Sequence, residues 1–189
     1  MMSKINLGAQ VVNYPMPVAI VGTMVNNKPN FLTVAWLSMA TYKPPTIIIM
    51  LNKLHYSNEG IKENKTFSIC FPSKDLVEKT DYVGIVSGKK IDKSTIFNVF
   101  YGETGSAPMI EECPLCIECK LGKIMEIGIH EIFAGEIIGV YSEDQYLTDG
   151  EIDFQKTNPF ILSQNSSEYW GLGDKIGNAW SIGKELIKK

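Results

Sequence analysis

Three cysteines, Cys113, Cys116 and Cys119, follow one another at intervals of three residues. Pairs with this spacing are typical of zinc sites, and a third cysteine at the same interval is similar to an iron–sulfur run. Such a run needs a fourth cysteine, but the only other one, Cys70, lies far upstream in a predicted strand. Cys119 also alternates in phase with Ile117, as a buried strand residue does. We therefore interpret the cysteines as structural thiols and predict no metal site; metal ligation and a redox disulfide are the alternatives.

A loop from Ser87 to Lys93 contains a hydroxyl, Gly88 and three lysines. Glycine turns expose backbone N–H groups and lysine supplies charge, which together suit a phosphate, although ordinary solvated loops have the same composition. Neither a GxxxxGK[ST] run nor a GxGxxG run after a strand is present. All basic side chains are lysines, so any phosphate must be held without the bidentate guanidinium of arginine.

His130 lies in a strand-like segment at residues 128–132. A lone histidine in such a place is more often a packed, hydrogen-bonded residue than a catalyst. The sequence contains no serine–histidine–aspartate order and no metal-spaced histidine pair. Hydrolytic catalysis therefore has no support.

These residues depend on the strands around them, and residues 30–45 are the most informative strand segment. The run begins after a polar turn and ends at two prolines. In extended backbone one face carries Thr33, Ala35 and Leu37, and the other carries Val34, Trp36 and Ser38. Small side chains alternate with bulky ones, which leaves room for a flat ligand. An ordinary barrel strand with a core tryptophan is the alternative.

The remaining elements are predicted from β-branched runs and turn residues. Strands are expected at 18–25, 31–37, 47–51 and 66–71 and between 117 and 141, with Gly128 and Gly135 as bulges. One helix is expected at 55–61, with Ser57 or Asn58 as the N-cap and Ile61 facing inward, and another around 76–83. Residues 169–184 form an ordered surface tail. The order predicts one mainly antiparallel β-barrel domain, residues 1–189, with a few helices at its ends.

Composition excludes several partners. The chain has 189 residues, 44% of them hydrophobic, and a formal net charge of −3, which gives no basic footprint for nucleic acid. No apolar run approaches the roughly 20 residues of a membrane helix, and the first ten residues lack a signal-peptide core. No membrane association and a cytoplasmic location are therefore expected.

Taken together, these segments resemble the flavin reductase-like family of FMN-binding split β-barrels of Greek-key type, and most closely its flavoredoxin-type branch. The resemblance spans nearly the whole chain. It is carried by the order and spacing of short motifs, which are Asn30–Trp36 followed by Lys43–Pro45, His55–Ser57 with Ile61, Ser87–Gly88 with Asp92–Lys93, Glu118–Leu121, His130 with Gly135–Ile137, and Tyr169–Gly173 with Gly183–Lys184.

The resemblance implies a homodimer with FMN near the subunit interface. It also implies hydride transfer from NADH or NADPH to the flavin, and electrons passed onward to a downstream acceptor such as a redox protein. The alternative is an FMN electron-transfer module that is reduced by a protein partner and has no nicotinamide site. The residues assigned to FMN are Asn30, Thr33, Val34, Ala35, Trp36, Asn52, His55, Tyr56, Ser57, Ser87, Gly88, Lys93 and Tyr169. His130 is assigned a catalytic role near the nicotinamide side of the ring.

Overall fold

The structure, a computed structural model, describes residues 3–12 and 14–187. Strands account for most of the regular structure. They are β1 (Met16–Pro17), β2 (Ala19–Val25), β3 (Lys28–Val34), β4 (Leu37–Tyr42), β5 (Pro45–Asn52), β6 (Thr66–Phe71), β7 (Val99–Phe100), β8 (Met109–Ile110), β9 (Leu115–Ile127), β10 (His130–Tyr141), β11 (Leu147–Thr148), β12 (Glu151–Ile152), β13 (Phe160–Ser163) and β14 (Glu168–Gly171). The helices are α1 (Ser57–Asn64), α2 (Val77–Ile85) and α3 (Phe154–Thr157), with 3₁₀ turns at Lys74–Leu76, Asp144–Tyr146 and Ile182–Leu186.

Seven strands form one antiparallel sheet in the order β3-β2-β6-β9-β10-β5-β4. Its two end strands, β3 and β4, are consecutive in the chain and are separated only by Ala35 and Trp36. The N–H of Met50 in β5 donates to the carbonyl of Trp36 over 2.9 Å, which extends the β4–β5 ladder by one position. The sheet curls without closing, and this confirms the predicted mainly β, split-barrel fold class.

Two apolar clusters occupy the two sides of this sheet. The barrel interior is filled by alternate strand residues such as Ile47, Ile49 and Leu51, with Phe67 and Phe133 between them. This period of two is what one buried face of a strand requires. The second cluster lies between the outer face of β2 and β6 and the chain around α2. Its members are Ile20, Phe31, Cys70, Val83, Phe97, Met109, Ile110, Cys113 and Cys116.

Three local expectations were wrong. The strand expected at 31–37 is two strands, because the chain passes from one end of the sheet to the other at Ala35 and Trp36. Gly128 is a turn residue with φ of +56° in the β9–β10 hairpin and not a bulge. Helix α1 has Tyr56 as its N-cap, with no side-chain capping bond, because the polar groups of Ser57 and Asn58 bond to other elements.

Other local expectations were confirmed. The β9–β10 register shifts beside Gly135, where a Cβ atom would lie 2.4 Å from the Phe67 ring. Ile61 is fully buried, and the second helix lies close to the expected residues. Strands β13 and β14 of the C-terminal part pair with β1 near the N-terminus.

Within the described ranges no helix is long and apolar enough to cross a membrane.

Candidate functional site

A cavity of about 420 Å³ opens where β3, the start of α1 and the loop after α2 meet. Strand β3 lies at the end of the sheet, so its edge away from β2 faces this region without a strand partner. A neighbouring cavity of about 300 Å³ adds the lysines at positions 28, 89 and 90. The predicted site residues that line the first cavity are Asn30, Asn52, His55, Tyr56, Ser57, Ser87, Gly88 and Lys93.

The start of helix α1 is fixed to strand β3 by a buried hydrogen bond. Asn30 Nδ2 donates to Ser57 Oγ over 2.9 Å. No side chain caps the helix, and the N–H groups of Asn58 and Glu59 in its first turn donate to the carbonyls of His55 and Tyr56, both over 3.2 Å. The positive end of the helix dipole at this point favours an anion.

Gly88 brings the lysine loop against this helix start. A Cβ atom at position 88 would lie 2.1 Å from Asn30 Oδ1 and 2.9 Å from the Tyr56 ring. No side chain larger than hydrogen fits without displacing Asn30. The glycine thus sets the closest approach between the loop and the floor of the cavity.

Lys93 supplies a buried positive charge to both cavities. Its side chain is only 3% exposed, and Nζ donates to the carbonyls of Phe31 and Val83, both at 2.8 Å. Burial lowers the pKa of Lys93 to about 8. Both acceptors are uncharged, so neither neutralises the ammonium, whereas the adjacent Asp92 pairs with Lys28 at 2.6 Å. This arrangement favours an anionic ligand.

His55 lines the first cavity, whereas His130 is not among its lining residues but lies close enough for its charge to act on His55. Burial lowers the pKa of His55, and the charges of Lys93 and His130 lower it further, so His55 is neutral at pH 7. His130 stands opposite Asn52 in the β10–β5 ladder. Its ring lies against Trp36, with centroids 5.1 Å apart and an interplanar angle of 35°.

Residues 33–36, predicted as a flavin-edge strand, face three directions. The Thr33 hydroxyl donates to the Thr80 carbonyl in α2, and Val34 packs in the barrel interior. Ala35 and Trp36 line a separate cavity of about 320 Å³, whose wall also includes Val11, Val12, Tyr14, Met16 and Pro17. Trp36 Nε1 donates to Gln164 Oε1 over 2.9 Å.

Tyr169 is not among the residues that line either of the first two cavities. Its hydroxyl donates to Asp81 Oδ1 over 2.9 Å, and its ring packs edge-on against Phe160. Burial and the bond to Asp81 raise the pKa of Tyr169 to about 12. The residue therefore ties β14 to α2.

Sequence reasoning missed several residues that line the first cavity. Leu32 and Leu54 contribute apolar surface, and the end of α2 contributes Gly84, Ile85 and Val86. An exposed leucine after a strand carries no signal of its own. Gly84 allows α2 to pack closely on β3, because a Cβ atom at this position would lie 3.1 Å from Thr33.

Comparison with known proteins adds a family and a set of similar structures. A family model described as a flavin reductase like domain matches residues 11–158. The chain is similar to flavoredoxin from Methanosarcina acetivorans, with 45% identity and a TM-score of 0.95 over 98% of this chain and 100% of that one. Flavoredoxin of Desulfovibrio vulgaris (Miyazaki F) is 36% identical, with a TM-score of 0.89 over 96% of this chain and 100% of that one. An FMN-binding protein from Thermus thermophilus shares the fold, with 21% identity and a TM-score of 0.80 over 94% and 99%.

Proposed function

Because this chain belongs to the flavin reductase-like domain family, we propose that it is an FMN-binding oxidoreductase of the flavin reductase or flavoredoxin type. Membership of the family implies flavin-related redox chemistry. The FMN, its electron donor and the site residues are our proposal. We take the whole chain as one domain, since β13 and β14 lie beyond the matched residues yet pair with β1.

The residues around the first cavity fit the phosphate end of FMN. Lys93 offers a buried ammonium whose two acceptors are uncharged, and helix α1 presents the positive end of its dipole to the cavity through Tyr56 and Ser57. Ser57 and Ser87 add hydroxyls to the same wall. A phosphate is a dianion with several acceptor oxygens, so it matches this set of donors without an arginine.

When bound, FMN would supply a two-electron acceptor for hydride from NADH or NADPH and a donor for a downstream redox partner. The chain would bind the ring along the open edge of β3, whose backbone N–H groups suit the pyrimidine side. His130 would act as a proton donor or positioning group, because Trp36 restrains its imidazole from one side. His55, neutral at pH 7, would hydrogen bond without adding charge.

The single observation that carries this proposal is the buried Lys93 ammonium beside the start of α1. Titration of the purified protein with FMN tests it. FMN fluorescence should change on binding, and a hundredfold excess over Kd should stabilise the fold by about 2.7 kcal/mol. A protein that is unchanged in both fluorescence and melting temperature would not be an FMN protein.

One observation favours the alternative of an FMN electron-transfer module without a nicotinamide site. The cavity beside Trp36 is lined by residues such as Val11, Val12, Tyr14 and Met50 and by no lysine, so it offers a dinucleotide pyrophosphate no cation. Stopped-flow mixing separates the two functions. Rapid bleaching of the flavin band by NADH or NADPH supports the enzyme, and bleaching only by a reduced ferredoxin supports the module.

We also propose that two copies form a homodimer, with the FMN sites near the interface. Large apolar side chains are exposed on β4 and along the C-terminal tail, including Tyr42, Trp170, Ile176 and Trp180. Exposed apolar surface of this extent favours a partner subunit. Light scattering should give twice the chain mass. We place the dimer in the cytoplasm, which suits the four free thiols.

A further inference from the structure

Three of the four cysteines meet in the second apolar cluster, away from the candidate FMN cavity. Cys70 in β6 stands directly opposite Cys116 in β9, and Cys113 packs beside them. Cys116 Sγ donates to the carbonyl of Ile110 over 3.4 Å, and Cys70 Sγ lies 3.9 Å from Ser68 Oγ. No local pattern predicts this grouping, because Cys70 joins it through the β6–β9 register.

A cavity of about 410 Å³ leads from the surface to this cluster. Cys113 and Cys116 form part of its wall, and the exposed residues Glu111, Ser142 and Glu143 stand at its rim. Cys113 is 6% exposed and Cys116 is 1% exposed, so the thiols are reached only through this opening. The two rim carboxylates favour neutral or cationic molecules and disfavour anions.

The backbone geometry suits a cross-strand disulfide. Directly opposite residues in antiparallel strands have Cα atoms about 4.5–5.5 Å apart, which falls within the range of about 4.4–6.8 Å that a disulfide spans. Cys70 is next to the end of β6, and Cys116 is the second residue of β9. Adjustment on forming the bond is therefore confined to strand ends.

We propose that Cys70, Cys113 and Cys116 form a thiol oxidation site, in which a small neutral or cationic disulfide enters the cavity and leaves a Cys70–Cys116 disulfide. Cys116, which lines the cavity, loses its proton and attacks one sulfur of the small disulfide, which releases its first thiol. The Cys70 thiolate then attacks Cys116 Sγ and releases the second thiol. Two protein thiols are oxidised, one small disulfide is reduced to two thiols, and the two protons pass to the released thiolates.

The environment of Cys70 suits the second step. Burial alone would raise the pKa of Cys70, but the neighbouring thiols of Cys113 and Cys116 lower it well below its usual value, whereas Cys70 and burial raise the pKa of Cys116. A thiolate is the attacking form in disulfide exchange. Among residues 3–12 and 14–187, no group of metal-ligating side chains is placed to hold a metal ion, so the geometry favours oxidation over metal binding.

Cys119 is a matched control within the same strand. It faces the barrel interior and does not line the cavity. Burial and the charge of Glu118 together raise the pKa of the Cys119 thiol to about 12. Cys119 should remain reduced in the folded protein while Cys70 and Cys116 are oxidised.

The test is oxidation of the folded protein by cystamine, a cationic disulfide, followed by peptide mapping. We expect a Cys70–Cys116 disulfide, and we expect cystamine to react roughly tenfold or more faster than oxidised glutathione, which is anionic. Intact thiols in folded protein, or a disulfide that links Cys113 to either partner, would overturn the proposal. The measurement uses no flavin signal, so it stands apart from the FMN proposal.

Variants assign the two steps. Cys70→Ala should trap a mixed disulfide between cysteamine and Cys116, whereas Cys113→Ala and Cys119→Ala should still form the Cys70–Cys116 bond. Thermal melting without oxidant checks that each variant folds. If Cys70→Ala does not fold, the map of the wild-type protein still decides the outcome. A Cys113→Ala variant that folds but forms no disulfide would refute the assigned attack by Cys116.

Discussion

The indole of Trp36 lies against the imidazole of His130, with ring centroids 5.1 Å apart. The two residues come from distant parts of the chain, and the β10–β5 ladder brings them together by setting His130 opposite Asn52. The indole Nε1 of Trp36 also donates a hydrogen bond to Gln164 Oε1. The imidazole therefore has a fixed neighbour on one side, as a group that positions a substrate or transfers a proton requires.

His130→Gln should slow flavin reduction by nicotinamide more than it weakens FMN binding. The amide keeps a hydrogen-bonding side chain but cannot transfer a proton as imidazole does, so we expect a loss of roughly a hundredfold in the reduction rate. Stopped-flow reduction and a fluorescence titration of FMN measure the two effects separately. Trp36→Phe, which keeps a ring against His130, is the control and should change the rate less. Equal losses in rate and affinity would mark His130 as a packing residue.

Lys93→Ala should weaken FMN binding by about 1–3 kcal/mol, the range for a hydrogen bond to a charged group. The ammonium is the buried cation of the cavity, and its loss leaves the phosphate with fewer donors. Fluorescence titration gives the two dissociation constants. Lys123→Ala, at an exposed position of β9 that lines neither cavity, is the control and should retain affinity. An unchanged Kd for a folded Lys93→Ala protein would remove Lys93 from the phosphate site.

Gly88→Ala should also weaken FMN binding, for a steric reason. The new methyl group would lie 2.1 Å from Asn30 Oδ1, so Asn30 must move and its bond to Ser57 must lengthen. Forced repacking of this kind costs roughly 1–3 kcal/mol. Gly173→Ala is the control, because nothing lies within 4 Å of a Cβ atom there. If calorimetry finds the same FMN affinity in both variants, the loop does not need this close approach.

The sequence predicted most of the sheet, because runs of β-branched residues, such as Thr46 to Ile49 in β5, favour extended strands. It could not predict contacts that depend on register. Lys93 meets the carbonyl of Phe31 only because α2 packs on β3, and no local pattern carries that information. The predicted N-cap of α1 was wrong for a related reason. The Ser57 hydroxyl accepts a hydrogen bond from Asn30 and does not cap its own helix. Local sequence patterns therefore predicted the strands, whereas the contacts between side chains that are distant in the sequence could not be predicted.

The affinity for FMN should fall as the pH rises above about 8, the pKa of Lys93 in the free protein. Above that pH the Lys93 amine is mostly neutral in the free protein and must take up a proton when FMN binds. The association constant should therefore drop by up to roughly tenfold per pH unit. Isothermal titration between pH 7 and pH 9.5 measures this decline, and Lys93→Ala should show a flatter profile.

The effect of Lys93 on folding stability cannot cause this decline in FMN affinity, because folding stability changes with pH in the opposite direction. The unfolded chain holds this proton up to its ordinary pKa of 10.5, and the folded protein loses it near 8. Between these values the unfolded state binds more protons, so the contribution of Lys93 to folding stability rises with pH. Melting curves in the absence of FMN check this point. A wild-type affinity that stays constant from pH 7 to pH 9.5 would show that another group holds the phosphate.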